Sequence, residues 1–324
     1  MRLFSWWARR LVSAVLTLFF VSILIFAASR LMPGGFAEVV LGPFASPEQQ
    51  AAVSEKYGLD QSLVAQYGLW LAAAVKGDLG TSLLSGEPVS SEFLLRIPVT
   101  VELTLLGIGA AVLIGIPLGV YSAVRAGERG GGALGRLAGG LGVSLPEFVL
   151  GSLVVFVFSR YALGLTVGGY RPLGEDVGAN LRSMVLPAGV LSVFAIAVTA
   201  RTTRDAVLNV LVEPYITASV ARGETPLFII ARHVLRNASI PILVVLTTIT
   251  AYLLGGAVII EHLFNLPGVG SYVVQAVGRR DYAVVQAGVL LAAAVFVLLN
   301  MLTDATSGVL DPRFGVARTG KAVR

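Results

Sequence analysis

Apolar runs long enough to cross a bilayer dominate the chain. A spanning helix needs about 20 mainly apolar residues, because an unpaired backbone amide in hydrocarbon costs several kcal/mol. Six stretches meet that length, near residues 11–29, 99–121, 137–158, 184–200, 239–260 and 283–305. Between the first two the pattern turns amphipathic. SPEQQAAVSEKYGL (46–59) places Ser46 at an N-cap, Pro47 in the first turn and Gln49 at the capping-box position, with Gly58 to stop the helix. A second helix over about 61–76 repeats Leu63, Tyr67, Trp70, Leu71 and Ala74 at three- and four-residue spacing. The pair reads either as a cap lying on the membrane surface or a partner, or as surface helices that only stabilise. GDLGTS (77–82) reads as a rigid turn with no chemistry that names its role.

The largest polar interruption is 201–238. Glu213 and Pro214 suit a helix start and Gly223 its end, with Arg222 placed favourably against the helix dipole. The intervening Tyr215, Ile216, Thr217, Ala218, Ser219, Val220 and Ala221 make fewer than three turns, a length marginal in water unless something packs on it. Thr225 as N-cap and Pro226 in the first turn start another helix. It sets Phe228, Ile229 and Leu235 against a basic strip of Arg232 and Arg236 and runs to Pro241, where the fifth span takes over or bends. The short helix either docks on another protein or rests at the lipid interface; Thr217, Ser219 and Gly223 suit close helix contact. Inside the spans, GIGAAVLIGIPLG (107–119) and LLGGAVII (253–260) permit close helix approach, and Pro117 predicts a kink.

Composition agrees with an all-α polytopic membrane protein: 56% of residues are hydrophobic and 13% charged, with a mean hydropathy of +0.82. Charge then orients the six predicted helices. Arg9 and Arg10 precede the first span, Trp6 and Trp7 suit the interface, and no small-residue cleavage site follows, so this span is expected to stay uncleaved. Both termini are expected in the cytoplasm, with 15 of the 24 basic residues inside, including Arg313, Arg318, Lys321 and Arg324 of the tail and Arg125, Arg129 and Arg136, beside Glu128, of loop 122–136. The external loop has seven carboxylates against four basic residues; Arg160, Arg171 and Arg182 in loop 159–182 argue the other way and are outvoted. The expected organisation is a stub and first span over 1–32, an extracytoplasmic helical loop over 33–98, a five-helix core over 99–305 containing the cytoplasmic segment 201–238, and a basic tail over 306–324.

The net charge of +5 does not imply nucleic acid as a partner, because most basic residues flank apolar runs where headgroups explain them. Without cysteine, disulfides and thiol chemistry are excluded. His233 and His262 fall in different loop regions with no carboxylates at ligand spacing, so no metal is expected. The costly polar residues in or beside the spans are Glu102, Asn300, Asp304, Arg201 and Arg204, which either line a pathway, reach headgroups or bond between helices. No nucleophile–base or paired-carboxylate arrangement gathers at one depth, which argues against a membrane enzyme. The residues themselves leave open a channel, a secondary transporter or a subunit of a larger machine.

Over nearly its whole length the chain resembles permease subunits of the dipeptide, oligopeptide and nickel importer family of ABC transporters, of the type with a long external loop. The similar segments are ARRLVSAVLTLFFVSILIFAASRLMPGG, YGLDQSLVAQYGLWLAAAVKGDLGTSL, EPYITASVARGETPLFIIARHVLRNASIP, LFNLPGVGSYVVQAVGRRDYAVVQAGVLL and GVLDPR, in that order. The third resembles the family's cytoplasmic signature of Glu-Ala-Ala, three residues, Gly and a hydrophobic stretch to a proline. Here Thr217, Ala218 and Ser219 occupy the triplet, Gly223 the glycine and Pro241 the proline. The chain departs from the pattern at Gly35 and Phe36, where an acidic residue often follows the turn, in lacking the triplet's glutamate, and at Glu224 and Pro226.

The resemblance implies a type I ABC importer permease fold in a bacterial or archaeal cytoplasmic membrane. It implies a homologous second permease, two ABC ATPase subunits or domains and an extracytoplasmic substrate-binding protein. The cargo would be di- or oligopeptides or, alternatively, nickel chelates, glutathione or another small solute. No glycine-rich phosphate loop ending in Lys-Ser/Thr is present, so Mg-ATP is expected on the partner subunits and no cofactor on this chain. Residues Glu213–Gly223 would couple to the ATPases, supported by Arg201, Arg204, Arg232, His233, Arg236, Asn237 and Pro241. The rival is an ATPase-independent secondary transporter or channel, for which inverted halves and central ion-binding groups would be expected and no convincing repeat is found.

Overall fold

The computed structural model describes residues 2–31, 41, 45–56, 59–127, 140, 142, 144–161 and 164–310, of which 2–6, 53, 56 and 306–310 are described as backbone alone. The expectations at Gly35, Phe36, Gly58, Glu128, Arg129, Arg136 and the tail from Asp311 lie outside these residues. The described chain is nearly all helical: α1 (Arg2–Leu31), α2 (Pro47–Lys56), α3 (Leu63–Val75), α4 (Val89–Val124), α5 (Glu147–Tyr161), α6 (Val177–Leu211), α7 (Pro214–Ala221), α8 (Pro226–Leu263), α9 (Val269–Arg279) and α10 (Tyr282–Leu310). Helices α1, α4, α6, α8 and α10 are long and apolar enough to cross a membrane. The third expected span, 137–158, falls partly outside the described residues; within it the helix is interrupted at Leu145 and Pro146, and α5, 15 residues long, begins at Glu147.

Two compact units divide the chain, Met1–Val99 with Pro267–Val297 and Thr100–Leu266 with Leu298–Arg324. In the first, α2 opens with the reciprocal bonds of a capping box: Ser46 N donates to Gln49 Oε1 at 3.0 Å and Gln49 N to Ser46 Oγ at 3.3 Å. The expected apolar face of α3 meets α1. Tyr67 Oη lies 2.8 Å from Ser22 Oγ, and Phe26 packs against the rings of Tyr67 and Trp70 at 5.4 and 5.7 Å. Leu63, placed on that face by spacing, is instead exposed, while Gln66 is buried and donates to the carbonyls of Leu59 and Gln61.

The turn at 77–82 acquires a role in the same unit. Asp78 Oδ1 accepts from Gly80 N at 2.9 Å, and Gly77 and Gly80 take φ of 86° and 83°. Ser82 Oγ donates to the buried Asp281 Oδ2 at 2.6 Å. Asp281 also caps α10, accepting Val285 N at its carbonyl. Val89, Phe93, Ala276, Val284, Val285 and Ala287 form the apolar core around this lock.

The second unit is built on α6, which buries residues along most of its 35-residue length. Gly115 and Gly119 of α4 are the contact points: a Cβ on Gly119 would fall 2.5 Å from the Ala200 carbonyl and 2.6 Å from Thr203 Cβ. This is small-residue packing at four-residue spacing, as the glycine pattern predicts. A π turn over Ala111–Gly115 precedes Pro117, whose ring nitrogen has no hydrogen to offer the preceding turn.

Several helix boundaries differ from expectation; α4, for one, begins at Val89 and not near 99. Helix α6 extends from 177 to 211 instead of 184 to 200, because 201–211 contains neither Gly nor Pro and its basic residues mark the end of the apolar run, not of the helix. Helix α8 is one continuous run from Pro226 through Pro241, with a π turn at Ile229–Val234, so the fifth span takes over at Pro241 without a break. His233 and His262 therefore sit on this helix and not in loops.

Candidate coupling site

Helix α7 hangs between the ends of α6 and α8. Glu213 holds the extended N-cap conformation without a side-chain cap bond, and Pro214 occupies the first turn, where its missing amide costs nothing. The eight-residue helix buries Ile216 and Ser219, three residues apart, while Tyr215, Thr217, Ala218, Val220 and Ala221 are exposed. Ile216 joins a core of Ala206 and Val207 from α6, Ile229, Val234, Ala238 and Ile242 from α8, and Ala123 from α4. Intramolecular packing thus supplies what a helix this short lacks alone.

Its end is a Schellman motif: Gly223 N donates to the Val220 carbonyl at 2.9 Å and Glu224 N to the Ser219 carbonyl at 3.3 Å. Gly223 takes φ +80°, with open space around a notional Cβ. The glycine is therefore required by conformation, not by crowding. The chain then turns into α8, where Thr225 has N-cap backbone geometry but its hydroxyl caps nothing, contrary to expectation.

Glu224 ties the two helices together. Arg222 donates to its Oε1 through Nε at 3.1 Å and Nη2 at 2.8 Å, and Nη2 also reaches Ser219 Oγ at 2.7 Å. His233 Nε2 lies 3.1 Å from Glu224 Oε2, and its ring packs edge-on to Phe228 at 5.7 Å. The hydrogen bonds from Arg222, Ser219 and His233, led by Arg222, hold the Glu224 carboxyl below the usual carboxylate range despite its partial desolvation. Its ionised state favours the folded arrangement: that contribution is present above the ordinary carboxylate pKa and lost as pH falls through the depressed one.

The supporting candidates are not equally involved. Asn237 Nδ2 donates to the His233 carbonyl at 2.7 Å, extending the network along α8. Arg204 pairs with its neighbour Asp205 at 3.2 Å, whereas Arg201, Arg232, Arg236 and Pro241 are exposed. The pathway candidates lie apart from this cluster. Glu102 accepts a 2.9 Å bond from Tyr170 Oη and so tethers loop 164–176; burial first, and then that bond, push the Tyr170 phenol up to about 12. Asn300 is exposed on α10, and Asp304 is half-buried.

Two carboxylates outside the candidate set lie in the interior of the second unit. Glu261 is fully buried, with Thr100 Oγ1 donating to its Oε1 at 2.6 Å. Glu147 is half-buried with its Oε1 enclosed. Each was visible in the sequence as an ionisable residue inside or beside an apolar run, which is the signal that singles out Glu102.

Comparison with known proteins agrees with this architecture. Residues 115–316 match the family described as binding-protein-dependent transport system inner membrane component, and residues 3–104 match the N-terminal region of such membrane components. A Sinorhizobium fredii protein named "Probable peptide ABC transporter permease protein" is 36% identical over 305 residues, covering 94% of this chain and 97% of its own. The glutathione transport system permease protein GsiC of Salmonella typhimurium is 34% identical over 304 residues, covering 94% and 96%. A solved structure of the MetNI methionine ABC transporter in inward-facing conformations shares the fold, with a TM-score of 0.53 and 20% identity over 68% of this chain and 96% of that one. The chain thus belongs to the binding-protein-dependent transport system inner membrane components and is a multi-pass permease subunit of an ABC importer.

Proposed function

We propose that this permease forms half of the translocation pathway of an importer for di- and oligopeptides, with a homologous second permease forming the other half. Two ATPase subunits would bind Mg-ATP beneath it, and an extracytoplasmic binding protein would deliver the solute. The observation that carries the coupling role is the attachment of α7: Ile216 is set into α6 and α8 together, and Glu224 links the end of α7 to His233 of α8. With α7 seated in a groove on one ATPase, closure of the ATPase pair would move α7, α6 and α8 as one lever between two packings of the spans. With six spans and both termini in the cytoplasm, α7 would lie on the ATPase side and α2 and α3 outside, where they would dock the binding protein or close the mouth.

The peptide reading is supported by the name of the Sinorhizobium relative, and glutathione, itself a tripeptide, by that of the Salmonella one. Reconstitution of the complete complex with its binding protein separates the cargo classes. ATP-dependent uptake of radiolabelled trialanine or glutathione is expected, with a nickel chelate excluded. Uptake of the chelate alone would overturn the peptide reading, and uptake by this chain without ATPase subunits would overturn the coupling mechanism.

A further inference from the structure

Glu147 begins α5 and lies at the middle of the apolar run 137–158. Its side chain points at α8, where a Cβ on Gly256 would fall 2.7 Å from Glu147 Oε2 and 3.3 Å from Leu191 Cδ1 of α6. Gly256 is thus the residue that makes room for the carboxylate. Glu147 Oε1 is enclosed, and no described residue donates a hydrogen bond to it. Phe194 of α6 and Tyr252 of α8 stack with centroids 4.3 Å apart and planes tilted by 31°. Tyr252, one turn before Gly256, is within electrostatic reach of Glu147 and remains 47% exposed. Both rings also lie near the middle of their apolar runs, 184–200 and 239–260.

A carboxylate at mid-membrane is costly and is retained where it faces a wet cavity or meets a positive charge. A carboxylate lodged against Gly256, one turn from the Tyr252–Phe194 pair, is a setting for a cation. We propose that Glu147, Tyr252 and Phe194 form an intramembrane subsite for the α-ammonium group of the transported solute. The inference rests on the peptide-import reading above. Unblocked peptides and glutathione share this ammonium whatever their side chains, so one carboxyl group at a fixed place serves a mixed cargo. Pairing the two charges offsets the desolvation of both at the depth where it is greatest. Glu147 lies on α5 and the two rings on α6 and α8, so movement of α6 and α8 as one lever against α5 would change the geometry of the subsite.

The substitution Glu147→Gln keeps the volume and removes the charge; a carboxylate that only packs would tolerate it. In the reconstituted complex, trialanine and glutathione uptake should both fall about tenfold or more. ATP hydrolysis stimulated by the loaded binding protein, and the melting temperature of the complex, should hold, and Glu147→Asp should retain part of the uptake. Uptake within about twofold of the unsubstituted complex, or a loss accompanied by a fall in melting temperature, would overturn the subsite. The unsubstituted complex serves as the separate control: if it moves neither solute, the peptide-import reading falls and the inference with it.

Discussion

At Gly223 the backbone turns through φ +80° to direct the chain from α7 into α8. A β-branched side chain in this conformation costs about 1–2 kcal/mol, and the open space around the residue offers no steric alternative that a smaller side chain would relieve. Gly223→Val is therefore expected to lower solute uptake per ATP hydrolysed by about five- to tenfold, with Gly223→Asn closer to the parent because Asn tolerates the left-handed region. The ratio of uptake to hydrolysis in proteoliposomes checks this; equal ratios in all three proteins would remove Gly223 from the coupling path. The glycine was legible because it ends a short apolar stretch after Glu-Pro. The bridging role of Glu224 was not, since it depends on the angle that brings His233 to within 3.1 Å. Spacing suggests a capping bond at Thr225 that the folded chain does not make.

Helix α7 exists through its neighbours: eight residues are too few to hold a helix alone, and Ile216 is its main apolar anchor. Ile216→Ala removes that anchor at a cost of about 2–4 kcal/mol, and limited proteolysis of the assembled complex should then cut faster within 222–225. An unchanged cleavage rate would show that α7 is held by something other than this core. Other elements were legible to different degrees, for local reasons. The capping box of α2 could be read because its chemistry lies within four residues. The true ends of α6 could not, because hydropathy reports where lipid ends and the helix continues past that point, whereas the start of α8 could be read from Thr225 and Pro226. The role of the turn at 77–82 stayed hidden because its partner, Asp281, lies 199 residues away.

For the whole molecule, the family and the membrane-spanning architecture leave one central claim to be tested, that the exposed face of α7 meets the ATPase. The chain contains no cysteine, so one introduced thiol reports on one place. Val220, 60% exposed on α7, and Leu63, 61% exposed on α3, lie on opposite sides of the membrane in the proposed topology. The most direct measurement is crosslinking of Val220→Cys to the ATPase subunit in the assembled complex, with Leu63→Cys as control. The account predicts a permease–ATPase product at 220, with thiol labelling there from the cytoplasmic side alone, and at 63 labelling from outside with no such product. Labelling of position 220 from outside, or an intact complex in which it never reaches the ATPase, would contradict it.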